Sequence, residues 1–173
     1  IGFHARLSEA RSETLLPALL EFVSTSDIEC IDSELREFAG PDKLKMIAGS
    51  GLRGELLYPV PYVLRARPVL LAYYRLLLGF SQKEFYNKGP FGCFAMMESH
   101  GRLAPSAAEQ LPELCRSLIE SAWVLVNGIP ELSQEVLSAL TLLTLGAQYR
   151  GSYNALLGQR TTKQVFALIR DIV

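Results

Sequence analysis

Gly79-Phe80-Ser81-Gln82-Lys83-Glu84-Phe85-Tyr86-Asn87-Lys88, followed by Glu98-Ser99-His100-Gly101-Arg102-Leu103-Ala104-Pro105-Ser106, reads as a turn glycine, a capped short helix and a second short element closed by glycine and proline. Ser81 and Glu84 have the spacing of a capping box, in which hydroxyl and carboxylate satisfy each other's orphan backbone N–H groups. A short helix, a turn and a successor helix is the order of a helix-turn-helix, whose second helix enters the major groove of DNA. The stretch predicts a mostly α, multi-helix globular domain containing a helix-turn-helix-like element. It makes duplex DNA the first partner to test.

The same punctuation recurs on both sides. Ser26-Asp27-Ile28-Glu29 is a second capping box, ahead of Ile28, Ile31, Leu35 and Phe38 at helical spacing, and Gly40 stops that run. Gly40-Pro41 opens another helix, with proline at the first helical position, where its missing N–H costs nothing, continuing through Leu44 and Ile47 to Gly49. Pro59, Pro61 and Pro68 cut the next segment into an extended stretch and a turn, after which Pro68 to Leu78 reads as a buried helix ending at Gly79.

Downstream, a long helix from Ala107 to Val126 carries Leu111, Leu114, Leu118, Ile119, Ala122 and Val126 on one side. Another spans Pro130 to Leu145 and ends at Gly146. The tyrosine-rich segment Gln148 to Leu157 reads as a short strand near the C-terminus, and Thr161 with Gln164 caps a last helix. The chain has no internal repeat.

A chain of 173 residues, 49% hydrophobic and 20% charged, fits one domain and can bury a core. The longest apolar run, Val69 to Tyr74, meets Arg75 well short of the ~20 residues that span a bilayer, so no membrane is expected. Cys30, Cys93 and Cys115 are odd in number and form no C-x-x-C pair, which points to a reducing, cytoplasmic setting. The opening at Ile1 and the close in mid-helix pattern at Val173 read as a fragment of something longer.

Charge alternates by segment. Residues 1–43 carry nine acids against four bases, whereas 49–103 carry seven bases (Arg53, Arg65, Arg67, Arg75, Lys83, Lys88, Arg102) against three acids. Residues 104–143 are acidic again, and 144–173 carry Arg150, Arg160, Lys163 and Arg170 against Asp171. Two basic segments folded together would form a cationic face for phosphates, with Gln82, Lys83, Lys88, Arg102, Arg65, Arg67 and Arg150 as candidate contacts. The competing reading is a set of bases scattered over a mixed surface.

Several chemistries are excluded. Gly49-Ser50-Gly51-Leu52-Arg53-Gly54 matches G-x-G-x-x-G, but a helix leads into it and no acid follows between Leu56 and Lys83, so it is a loop rather than a dinucleotide site. His4 and His100 lack metal-ligand spacing, and no feature marks a Cys93–His100 pair as activated. No Asp or Glu has Lys two positions later, so the E-x-K arrangement of magnesium nucleases is missing, and neither catalytic nor metal-binding residues are assigned. Within the helix-turn-helix reading, Cys93-Phe94-Ala95-Met96-Met97 offers almost nothing to base edges, and residues 93–99 read equally as a recognition helix or a core helix.

Gly51-Leu52-Arg53-Gly54-Glu55, Tyr58-Pro59-Val60-Pro61, Tyr73-Tyr74-Arg75-Leu76-Leu77-Leu78-Gly79 with Ser81-Gln82-Lys83-Glu84-Phe85-Tyr86, Leu140-Thr141-Leu142-Leu143-Thr144-Leu145-Gly146 with Arg150-Gly151-Ser152, and Thr162-Lys163-Gln164-Val165-Phe166 resemble the amino-terminal half of XcyI-type restriction endonucleases. The resemblance implies a bacterial type II enzyme that hydrolyses duplex DNA at a short palindrome, CCCGGG in the name-giving enzymes, with magnesium as cofactor. It implies cleavage residues after Val173, so no catalytic residue carries over. Residues 1–145 then become a helical, DNA-binding domain and 146–173 the beginning of a nuclease core. A homodimer in the bacterial cytoplasm is the expected form. A helix-turn-helix transcription regulator and a helical protein-interaction module remain the alternatives.

Overall fold

The structure, a computed structural model, describes residues 15–148 and 150–151. All regular elements among them are helical, as the capping signals predict. Helix α1 spans Leu15–Thr25, α2 Ile28–Phe38 and α3 Pro41–Gly49. A 3-10 turn at Gly54–Leu56 leads to α4, Pro61–Ala66, and a second at Pro68–Leu70 leads to α5, Leu71–Leu77. A π-helical turn, Lys83–Lys88, and a 3-10 turn, Gly92–Phe94, precede α6, Ala95–His100, and α7, Pro105–Ala108. Helix α8 is Leu111–Asn127, and α9 runs over residues 134–148.

The α2 cap lies one residue later than the sequence suggests. Asp27 caps it, its Oδ1 accepting from the N–H groups of Glu29 and Cys30 at 3.0 and 3.3 Å. Ser26 closes α1 instead, donating to the Phe22 carbonyl at 2.7 Å. The stretch expected to be extended is a 3-10 turn and a short helix, because Pro61 occupies the first turn of α4 and Glu34 Oε2 accepts the free Tyr62 N–H at 2.6 Å. The helix expected from Ala107 to Val126 breaks in two, since Pro112 has no N–H to continue a ladder from α7. The six apolar positions expected on its inner side are all buried.

Helix α5 is the centre of the core, with all seven residues buried. Tyr73 and Tyr74 satisfy their hydroxyls on the carbonyls of Leu56 and Glu55, each at 2.7 Å, so two large polar-tipped rings enter the interior without orphaned groups. Gly79, at φ +83°, provides the left-handed turn that ends this segment.

The Gly79–Pro105 stretch does not form two α-helices joined by a turn. Phe85 and Tyr86 are adjacent and both buried, and a π turn accommodates them where an α-helix would separate the rings further around its axis. Phe85 packs against Phe80, Tyr86 and Phe91 with ring centroids 5.9, 5.0 and 4.8 Å away. The second element, α6, buries Met97, with Phe94 buried just ahead of it, so its apolar side is committed to the core. At the other end α9 passes Gly146 without a break, and Arg150 and Gly151 are helical too. The strand expected from Gln148 therefore does not begin there; residues 152–157 lie outside the described residues, as does the last expected helix. Among the described residues no helix is long and apolar enough to cross a membrane.

Candidate nucleic-acid interface

A cleft of about 1170 Å³ is lined by the Gly79–Asn87 segment, by Ala95 and Ser99 of α6, and by the α9 residues Leu143, Thr144, Ala147 and Gln148, with Gly151 beyond them. Its polar lining includes Ser81, Gln82, Lys83, Asn87, Ser99 and Thr144. The Ser81–Glu84 box forms as the sequence predicts. Ser81 Oγ accepts the Glu84 N–H at 3.2 Å, and Glu84 Oε2 accepts from the Ser81 N–H and hydroxyl at 3.0 and 2.8 Å. Those bonds hold the Glu84 carboxyl below its usual pKa and fix the first residues of the cleft wall.

Beneath the cleft sits a charge network that the sequence reading missed. Arg75, 1% exposed, meets Glu98 at two points, Nε to Oε2 at 2.8 Å and Nη2 to Oε1 at 2.6 Å. Its Nη1 donates to the Phe80 carbonyl and, at 3.3 Å, to Gln148 Oε1. Glu98 also accepts from Gln82 Nε2 and from the Tyr86 hydroxyl, both at 2.8 Å. Burial alone would raise the Glu98 carboxyl, but the bonds from Arg75, Gln82 and Tyr86 outweigh it and keep its pKa below the usual value. Burial first, and the Glu98 charge second, push the Tyr86 phenol far up, so it remains a donor at neutral pH. A signal for this network exists in the sequence: Arg75 interrupts an apolar run and no acid lies between Leu56 and Lys83, so its partner had to come from a distant element.

Of the seven bases in 49–103, two are consumed internally. Arg75 is buried with Glu98, and Arg53 binds both Glu55 and Asp32. Arg65, Arg67, Lys83, Lys88 and Arg102 are exposed and make no ion pair among the described residues. Gln82 and Lys83 lie on the cleft, Lys88 ends the π turn, and Arg102 follows the Gly101 cap of α6. Arg150 lies between cleft residues Gln148 and Gly151 and is exposed. Arg65 and Arg67 are not cleft residues; they flank the end of α4, and the Arg67 guanidinium lies 6.0 Å from the Phe22 ring centroid.

The other chemistries find no support in the geometry. Cys93 faces Gln110 while His100 Nδ1 lies 2.8 Å from Ser99 Oγ, so neither engages the other. Burial pushes the Cys115 thiol up, and the exposed Cys30 thiol is also raised because it donates to Asp27 Oδ2. Gly54 of the glycine-rich loop faces the methyls of Leu44 and Leu35, where an added Cβ would meet the nearest at 2.8 Å; it is a packing glycine. Magnesium, implied by the resemblance, needs a cluster of oxygen ligands. Among the described residues no three His, Cys, Asp or Glu side chains gather for a metal, and Glu55 and Glu98 already serve arginines, so the described residues do not fit that ion.

The described residues form a helical unit with a polar cleft that Lys83 lines, and the proteins this chain is similar to are type II restriction enzymes. The chain belongs to the XcyI restriction endonuclease family, which it matches over residues 4–173. It is 42% identical over 178 residues to the type II restriction enzyme Cfr9I of Citrobacter freundii and 43% identical over 178 residues to the type II restriction enzyme XcyI of Xanthomonas campestris pv. cyanopsidis. Both alignments cover 100% of this chain and 54% of the relative, so the chain spans about half the length of the curated relatives it matches. No solved structure matches it.

Proposed function

We propose that this chain is the helical, duplex-DNA-binding part of a magnesium-dependent type II restriction endonuclease that hydrolyses DNA at a short palindrome. In this reading residues 1–145 form the DNA-binding domain, residues 146–173 begin the nuclease core, and the cleavage and magnesium-binding residues belong to another part of the protein. The observation that carries it is the sorting of charge in 49–103. All three acids of that segment are engaged, Glu55 and Glu98 with arginines and Glu84 with the Ser81 cap, while Arg65, Arg67, Lys83, Lys88 and Arg102 stand exposed and form no ion pair among the described residues. Unpaired cations neutralise phosphates and release counterions, the sequence-independent part of DNA affinity. Arg150 extends that set beside the cleft, and Gln82 adds a neutral amide there.

A palindromic duplex has two-fold symmetry, and a homodimer meets it with two equal half-sites. The bacterial cytoplasm is the corresponding location. A fluorescence titration with a labelled CCCGGG duplex and a scrambled duplex tests the reading. With about six phosphate contacts, affinity should fall roughly 10³-fold between about 50 and 200 mM salt. A helical protein-interaction module predicts no such dependence, and a salt-insensitive or absent interaction would favour it.

A further inference from the structure

We propose that Arg75 and Glu98 are positioning residues that set the distance between the two walls of the cleft, so that Gln82, Lys83 and Asn87 present themselves to the base edges of duplex DNA. The proposal rests on the DNA-binding reading above and names the surface that reads sequence. The alternative reader, α6, has its apolar side in the core and exposes Met96, Ser99 and His100, of which Ser99 Oγ and His100 Nδ1 lie 2.8 Å apart and already engage each other. The cleft instead offers Lys83, which donates to guanine O6 and N7, and the amide oxygens of Gln82 and Asn87, which accept from cytosine N4 in the major groove.

Arg75 ties together the parts that line this cleft. Its guanidinium reaches the Gly79–Asn87 segment through the Phe80 carbonyl, α6 through Glu98, and α9 through Gln148. Glu98 returns to the first wall through Gln82 and Tyr86, two residues that line the cleft. A buried ion pair is often replaceable by apolar residues without loss of stability, so its worth lies in selecting one arrangement. Here every partner of Glu98 sits on, or directly below, the cleft. A fully bonded buried network holds such an arrangement rigidly, and an error of one ångström in a reading surface is enough to lose a hydrogen-bonded contact.

The test is selection from a pool of duplexes with a randomised centre, using the intact protein, its Arg75→Met/Glu98→Gln variant and its Gln82→Ala variant. The wild type should enrich one motif. In the Arg75→Met/Glu98→Gln variant, discrimination between that motif and the unselected pool should fall by about tenfold or more beyond any change in affinity for the pool itself. Gln82 is exposed and carries no core packing, so Gln82→Ala keeps the test valid should the paired variant not fold; it too should lower discrimination more than pool affinity. Variants that enrich the same motif as strongly as the wild type overturn the proposal, as does a wild type that binds the pool without enriching any motif. A wild type with no salt-sensitive affinity for the pool overturns the DNA-binding reading and this proposal with it.

Discussion

Arg75 and Glu98 lie 23 residues apart in sequence and meet in a two-point pair at 2.6 and 2.8 Å, with Arg75 1% and Glu98 11% exposed. Removing one partner strands the other charge in a low-dielectric interior. Glu98→Gln or Arg75→Met alone should therefore cost about 3–5 kcal/mol of unfolding free energy, while the paired Arg75→Met/Glu98→Gln change should cost clearly less than the sum. Urea denaturation of the four proteins measures the coupling, and strict additivity would mean that the two charges do not act as a pair.

The pair also sets a pH dependence. Because the folded-state pKa of Glu98 lies below its ordinary value of 4.5, its stabilising contribution is complete at neutral pH and is lost as pH falls through that lowered folded value. The stability gap between wild type and Glu98→Gln should be constant above about pH 6 and should shrink on acidification below 4.5. Thermal melts across that range check the sign; a gap that widens in acid contradicts it.

Gly89 allows the π turn to close. A Cβ there would meet the Phe85 carbonyl oxygen at 2.7 Å and the Glu84 carbonyl oxygen at 3.0 Å, both backbone atoms that cannot swing aside. Gly89→Ala should destabilise by roughly 1–3 kcal/mol, as overpacking against fixed atoms does, and should perturb the Phe85 and Tyr86 environment in near-ultraviolet circular dichroism. An unchanged spectrum and midpoint would mean that the turn is more tolerant than its geometry indicates.

The helices were legible because their signals are local. The Ser81–Glu84 box, Pro41 and Pro61 at helix starts, and the apolar face of α8 depend on neighbours within one or two turns. The first element of the expected helix-turn-helix is a π turn for a tertiary reason, and the expected strand does not begin at Gln148, its residues 152–157 lying outside the described ones. Burial of both Phe85 and Tyr86 reshapes the first element into a π turn, and α9 simply continues past Gly146. At the candidate site, Gln82 and Lys83 stand beside a cap in the sequence and line the cleft in the structure, whereas the Arg75–Glu98–Gln148 network joins residues up to 73 positions apart and leaves only an isolated charge in an apolar run as its trace.

Whether exposed cations of this chain hold duplex DNA is decided by the slope of log affinity against log salt for wild type, Lys83→Ala/Lys88→Ala and Arg65→Ala/Arg67→Ala. Removing one phosphate contact should lower the slope by about one, and each pair of substitutions should weaken binding to all sequences about equally. Slopes reduced by about two in the lysine variant would place its contacts beside the cleft, and a reduction in the arginine variant would extend the face to α4. Equal slopes and affinities in all three proteins would contradict a cationic DNA-binding face built from these residues.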